Sequence, residues 1–394
     1  MKRFFFTVIV LAAVATGCTK SNLVELPQTF ETPIAFEPYA GKAPMTKASV
    51  MTADVLKTYQ SKETSAFHVT AFIPGEYTKP YMDKNVWYVP ETTGETNVPA
   101  SWKYDGKAYW PESKLQFIAY GLHAQKPLPT GASTSTIQFE EGSFSSFSYT
   151  VSDLVSDQED LIVADSLERS SMNGATVNLT FKHLLSKIGF SLQTNQENDV
   201  MVTIKKVELK GNFYDAGTVN MLAKGDDLKV VPTGTASLKA YSLFGELDED
   251  DNTVVSYDPN ATESASYDCF QSISCGPETS VPMYANKTLE LTVADGVKDE
   301  VINEKTGADK DNRYMMLIPC TPATATIEVI YQLTDADEQK AKVELPADFN
   351  FEKGKGYEFV LKISTMSVEF DVTVSDWDDA TNIEDSYTLT PVVE

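Results

Sequence analysis

Apolar and polar residues alternate with a period of two through most of this chain, in short runs. Phe67, Val69, Ala71 and Ile73 share one side of a stretch that Pro74-Gly75 ends. Val177, Leu179 and Phe181 alternate strictly and run on into HLLSKIGFSL at 183–192. Ile327, Val329 and Tyr331 alternate. So do Tyr357, Phe359, Leu361 and Ile363 after the Gly354-Lys355-Gly356 turn, and Val368, Phe370, Val372 and Val374 ahead of Trp377. Successive side chains of a strand point to opposite faces, so each run predicts a half-buried β-strand. Residues 115–120, 160–164 (DLIVA) and 315–318 are apolar without alternation, as strands covered on both faces are. Val202 and Ile204 differ in parity from Val207 and Leu209, which one extra bulged residue would explain. Leu289, Leu291 and Val293 predict a further strand, and 55–59 fits a short helix or a turn. Helical periodicity of any length is nearly absent, so the pattern predicts an all-β chain of sandwiches. The polar break TNQEND at 195–200 divides it into an N-terminal domain, 51–196, and a C-terminal domain, 197–394.

Three further segments stand apart. In residues 30–37, Phe30, Thr32, Ile34 and Phe36 lie on one side while Pro33 and Pro38 interrupt. Proline cannot donate to a ladder, so this is a strand with edge character. Residues 40–50 (AGKAPMTKASV) are small and carry Lys42 and Lys47, a stretch open to a trypsin-like protease. At the other end, DSYTLTPVVE (385–394) alternates at Tyr387, Leu389 and Val393, which fits a strand pairing within its own chain.

The first residues bring in export. Lys2 and Arg3 precede an eleven-residue apolar run, 4–14, followed by Ala15, Thr16, Gly17 and Cys18. As a helix the run spans about 16 Å, short of a ~30 Å hydrocarbon core, so residues 1–17 read as a signal rather than a permanent span. A cysteine directly after small residues resembles a bacterial lipobox, in which Cys18 takes a lipid that tethers the chain to a membrane. An ordinary secretory signal with a coincidental cysteine is the alternative. Residues 18–50 then form a lipidated tether, first strand and cleavable linker.

Charge and composition narrow the classes. The chain has 394 residues, 57 acidic against 32 basic, and a net charge of −25. That field repels nucleic acid and anionic lipid. Beyond Cys18 the cysteines are Cys269, Cys275 and Cys320. The first two can close a small loop disulfide, or all three can be buried thiols. His68, His123 and His183 do not stand at ligand spacing to a cysteine pair, so no zinc site is expected. There is no G-x-S-x-G elbow, phosphate-cradling glycine loop or H-E-x-x-H, and no cofactor or enzymatic role is expected. The acidic run 248–251 lacks calcium-loop spacing and reads as a solvated turn, as does Asp226-Asp227 after Gly225. Asp165-Ser166-Leu167 resembles a bacterial O-glycosylation triplet. The aromatics between Pro80 and Pro111 (Trp87, Trp102, Tyr104, Tyr109, Trp110) suit core and hairpin packing better than a sugar platform.

Several segments in order resemble the fimbrillins, structural subunits of the type V pili of Bacteroidales. They are the Cys18 lipobox, KAPMTKAS (42–49), SWKYDGKAYWPESKLQFIAY (101–120), DLIVA (160–164), LTFKHLLSKIGFSL (179–192), KGYEFVLKI (355–363) and VTVSDW (372–377). The resemblance implies two tandem transthyretin-like Greek-key β-sandwich domains, export as an outer-membrane lipoprotein, trimming by a trypsin-like protease, and polymerisation with other pilin subunits by donor-strand exchange. It implies a displaced first strand carrying Ile34 and Phe36, a cut at Lys47 or Lys42, and a donor segment carrying Tyr387, Leu389 and Val393. The alternatives are a tip adhesin or anchor subunit of the same pilus, or a monomeric surface glycan-binding lipoprotein.

Overall fold

The computed structural model describes residues 32–40, 51–93, 97–122, 135–153, 155, 158–194, 200–243, 246–247, 254–255, 271–275, 281–283, 314–333, 337–363, 368–377 and 383–389. The first half of the chain gives β1 (Ala35–Tyr39), α1 (Ala53–Leu56), β2 (Phe67–Phe72), β3 (Met82–Val89), β4 (Ser101–Tyr104), β5 (Leu115–Leu122), β6 (Thr136–Gln138), β7 (Ser146–Thr150), β8 (Leu161–Ala164), β9 (Leu167–Arg169), β10 (Thr176–His183) and β11 (Ser186–Thr194). The second half gives β12 (Val200–Phe213), β13 (Ala216–Asn220), β14 (Val230–Pro232), β15 (Ser237–Ser242), β16 (Glu246–Leu247), β17 (Val254–Val255), β18 (Gln271–Cys275), β19 (Val281–Pro282), β20 (Tyr314–Leu317), β21 (Ala325–Leu333), β22 (Glu338–Glu344), β23 (Lys355–Ile363), β24 (Val368–Asp376) and β25 (Ile383–Leu389). Among the described residues α1 is the only α-helix, capped by the Thr52 hydroxyl, which accepts from Val55 N at 3.1 Å.

The alternation of the sequence becomes burial. In β10, Val177, Leu179 and Phe181 turn inward while Thr176, Asn178 and Thr180 face out. In β12 the register slips between Ile204 and Lys206, so Val202, Ile204, Val207 and Leu209 all enter one core despite their change of parity. Gly354, at φ +69°, makes the turn into β23 that residues with a Cβ rarely adopt.

Four main sheets carry three cores. An eight-stranded sheet runs β1-β10-β8-β5-β2-β3-β4, with β9 beside β5. One of its faces encloses Ile34, Phe36, Phe67, Val69, Val86, Phe117 and Leu179. A six-stranded sheet (β19-β11-β23-β24-β25, β20 beside β11) and a five-stranded one (β15-β12-β21-β22, β18 beside β12) share a second core, which includes Phe190, Val207, Ile327, Phe359 and Phe370. Sheets that pool their inner faces in this way form a sandwich. The third core joins the two halves. Ile118 and Val163 from the back of the eight-stranded sheet meet Phe147 and Val219 from a four-stranded sheet, β14-β13-β7-β6, together with Met316 and Trp377.

This arrangement moves the seam that the polar break suggested. β11, assigned from sequence to the N-terminal domain, pairs in parallel with β23 from Lys187↔Gly356 to Thr194↔Ile363 and packs in the second core. The chain changes sheet at Leu184-Leu185, between β10 and β11, rather than at 196/197. Nor do the halves separate cleanly, because β7 pairs with β13 across that seam. The polar break at 195–200 falls in the sequence between β11 and β12, which both pack in the second core.

Candidate assembly site: the first strand and its slot

β1 lies at one end of the eight-stranded sheet, parallel to β10 in the register Ala35↔Thr176 to Tyr39↔Thr180. Ile34, Phe36, Pro38 and Ala40 are buried; Glu37 and Tyr39 are exposed. The Phe36 ring meets Phe67, Tyr104 and Phe117 edge-on, with centroids 6.4, 5.7 and 6.2 Å away. Tyr104 Oη donates to Ile34 O at 2.7 Å. Ile34 N donates to Ala108 O at 2.9 Å, and Trp110 N to Thr32 O at 3.2 Å, so the strand's start is gripped from both sides. Along Ala35–Tyr39, β10 is the only pairing strand among the described residues. Pro38, which cannot donate, is tolerated there because an edge asks for ladder bonds on one side only. Burying side chains the size of Ile34 and Phe36 contributes about 1.5–3 kcal/mol each.

Met51 is fully buried, and its N–H donates to Asp160 Oδ2 at 2.7 Å. That carboxylate also holds His183 Nδ1 at 2.9 Å, and the imidazole stacks on Trp377 with centroids 4.6 Å apart and planes 9° apart. Asp160 and His183 are both buried. The segment that begins after the linker is thus fastened to the seam between the halves. Residues 41–50 are bracketed by two buried anchors, Ala40 and Met51.

At the far end, β25 pairs antiparallel with β24 (Phe370↔Leu389, Val372↔Tyr387) as the last strand of its sheet. Leu389 is buried in the second core, and Thr388 Oγ1 donates to Asp371 Oδ1 at 2.7 Å. The described part of the C-terminal segment therefore lies in its own sheet. Cys18, Lys42, Lys47 and Val393, the strand expected at 289–293, Cys269 and the acidic run 248–251 lie outside the described residues, as does the side chain of Tyr387.

Other sequence expectations meet the structure as follows. Trp110 is buried, and Trp102 and Tyr104 pack against the first core. Ser166 is buried, donating to Leu222 O at 2.9 Å, so the Asp165-Ser166-Leu167 triplet offers no accessible hydroxyl. Cys320 is a free, half-buried thiol that burial pushes up to about 11. Among the described residues no three His, Cys, Asp or Glu side chains are grouped to hold a metal ion, and no helix is long and apolar enough to cross a membrane. Asp160 and His183 were missed as a pair. DLIVA and the LTFKH run each show only strand patterning, and their meeting is a matter of sheet order.

The chain belongs to the fimbrillin-like family, whose model matches residues 46–377. Membership of this family places it among fimbrial surface proteins. Comparison with solved structures finds a candidate cell adhesion protein of Bacteroides uniformis at 15% identity and TM-score 0.43, covering 88% of this chain and 100% of that one. A candidate cell adhesion protein of Bacteroides ovatus aligns at 13% identity and TM-score 0.42, covering 88% and 98%. A fimbrial assembly protein of Parabacteroides distasonis aligns at 11% identity and TM-score 0.36, covering 90% and 98%. A search of curated proteins found no match.

Proposed function

We propose that this chain, folded as two tandem transthyretin-like Greek-key sandwiches, is a structural subunit of a cell-surface fimbria, a type V pilus. In this reading Cys18 carries the lipid that delivers the precursor to the outer membrane. A trypsin-like protease then cuts after Lys47 or Lys42, and subunits join head to tail by donor-strand exchange. The observation that carries the reading is β1. It fills a core with Ile34 and Phe36, yet pairs along Ala35–Tyr39 with β10 alone and is followed by a lysine-bearing linker between buried anchors. The family match runs from 46 to 377 and leaves both β1 and β25 outside it, which suits segments that exchange.

The physics follows from the slot. A cut within 41–50 leaves β1 attached only through non-covalent contacts. Its loss uncovers the β10 edge and an aromatic groove, the liability of any open sheet edge. An extended segment of another subunit fills the groove by β-augmentation, with backbone bonds supplying affinity and alternating side chains supplying register. Residues 385–394 supply that segment, with Tyr387, Leu389 and Val393 as its inward side chains. Donation requires β25 to leave β24 and uncover Leu389, at a cost of about 1.5–3 kcal/mol, which refilling an equivalent slot offsets. Such a contact is head-to-tail and does not close, so it extends into a filament. The test is the N-terminal sequence of subunits in fibres purified from the cell surface. A start at Ala48 or Ala43 is expected; a start at Cys18 would remove the shaft-subunit reading and leave that of an anchor.

A further inference from the structure

On the back of the eight-stranded sheet, β3, β2 and β5 line up the exposed Asn85 with the half-buried His68 and Tyr120 in one row, and the exposed Asp83 with the buried Thr70 in the next. His68 Nδ1 lies 2.7 Å from Asn85 Oδ1 and Nε2 lies 2.7 Å from Asp83 Oδ1. Thr70 Oγ1 donates to the same Asp83 oxygen at 2.8 Å. Both ring nitrogens are thereby used, and the Asp83 and Asn85 side chains are held in place although they face solvent, Asp83 with 41% of its side chain exposed. What remains is one free acceptor, Asp83 Oδ2, and one free donor group, Asn85 Nδ2, neither with a partner among the described residues. Beside them the Tyr120 ring packs against the third core, 5.5 Å from Phe147 and 5.3 Å from His68, and lies 5.5 Å from Phe139, a large apolar side chain left 37% exposed.

We propose that this corner binds a neutral hexose: Asp83 Oδ2 accepts from one ring hydroxyl, Asn85 Nδ2 donates to a neighbouring one, and Tyr120 and Phe139 receive the sugar's C–H face. A hexose presents adjacent hydroxyls, which need a fixed acceptor and a fixed donor, and an apolar face, which needs an aromatic wall. The carboxylate and amide are already immobilised, so little side-chain freedom is lost on binding. Burial first, and the Asp83 charge second, push the Tyr120 phenol up to about 12, so it stays neutral at any physiological pH. The free carboxylate and the chain's net charge of −25 act against anionic sugars. The corner is shallow and its affinity is weak in one subunit. A fibre that repeats it gains by multivalency, but binding by the single chain does not depend on the fibre reading.

The experiment is saturation-transfer NMR on the purified full-length chain with the methyl glycosides of mannose, galactose and glucose, and with 3′-sialyllactose as the charged control. Transfer to at least one neutral glycoside is expected, above that to the charged control. Asp83→Asn, which keeps the shape and the acceptor for Thr70, should weaken binding by about tenfold, the loss of one charged hydrogen bond. Asn85→Ala, at an exposed position, should weaken it similarly without touching the core. No transfer to any of the three glycosides overturns the proposal. So does equal or stronger transfer to 3′-sialyllactose, or binding unchanged in both variants.

Discussion

Phe36→Ala in the uncut chain tests whether the first strand is a seated part of the core. The ring is 3% exposed and stands edge-on to Phe67, Tyr104 and Phe117. Truncating a buried phenylalanine costs about 3–5 kcal/mol, the transfer free energy plus the cavity left behind. At about 2–4 °C per kcal/mol for a domain of 150–250 residues, the thermal midpoint should fall by about 6–20 °C. Calorimetry measures this directly, and tryptophan fluorescence reports the same core through Trp102 and Trp110. A second arm isolates the slot. A chain beginning at Ala48 lacks β1 and should be restabilised by a synthetic peptide of residues 30–42. The same peptide with alanine at position 36 should bind about two to three and a half decades more weakly, which is the same 3–5 kcal/mol read as affinity. A midpoint within about 2 °C of wild type, or equal affinity for the two peptides, would show that β1 does not hold this position in solution. The reasoning about an emptied slot would then fail with it.

Three further outcomes follow from the packing and the charges. Asp160→Ala removes the acceptor for Met51 N–H and His183 together and should cost about 3–5 kcal/mol, read as a lower urea midpoint at unchanged slope; Asp160→Asn, which keeps one acceptor oxygen, should cost less. Asp83 is held below its ordinary carboxylate range chiefly by its hydrogen bond to His68. At Asp165, Glu328 and Asp371 burial pushes upward, but lysine partners outweigh it and leave each lowered. A carboxylate lowered in the folded state contributes stability above its unfolded value, here 3.8–4.5, and loses it as pH falls through the folded value. The thermal midpoint should therefore hold down to about pH 5 and fall progressively below about pH 4; a flat profile to pH 2 would contradict it. Gly211→Ala in β12 would place a Cβ 2.5 Å from Thr324 O and 2.9 Å from the Phe213 ring, so overpacking should cost about 1–3 kcal/mol in a denaturant titration.

Alternation is a local property, and among the described residues several strongly alternating runs are strands. β2, β10, β21, β23 and β24 follow their apolar periods, and the parity change in β12 located its bulge at Lys205. Weakly patterned strands escaped notice. β7 (SFSYT) and β13 (AGTVN) are rich in Ser, Thr and Gly and carry little apolar pattern, burying the side chains of Phe147 and Tyr149 in the one and of Val219 in the other. The inward side chains of the first segment, Ile34 just before β1 and Phe36 within it, were legible for the same reason that β10 was.

Strand periodicity, the odd proline-bearing first segment, the lysines at 42 and 47, and the acidic balance are written in neighbouring residues, because they depend on side-chain chemistry and a two-residue repeat. Which strands pair was decided only in three dimensions. The parallel partnership of β1 with β10, that of β11 with β23 some 170 residues later, and the crossing of β7 to β13 leave no local mark. An alternating strand has a buried face but no instruction naming its neighbour. The same holds for Asp160 and His183, and for Asp83, Asn85, His68 and Tyr120. Each is an ordinary residue in its own strand. They become a clamp at the seam and a solvent-facing polar corner only because sheet order and register set them side by side.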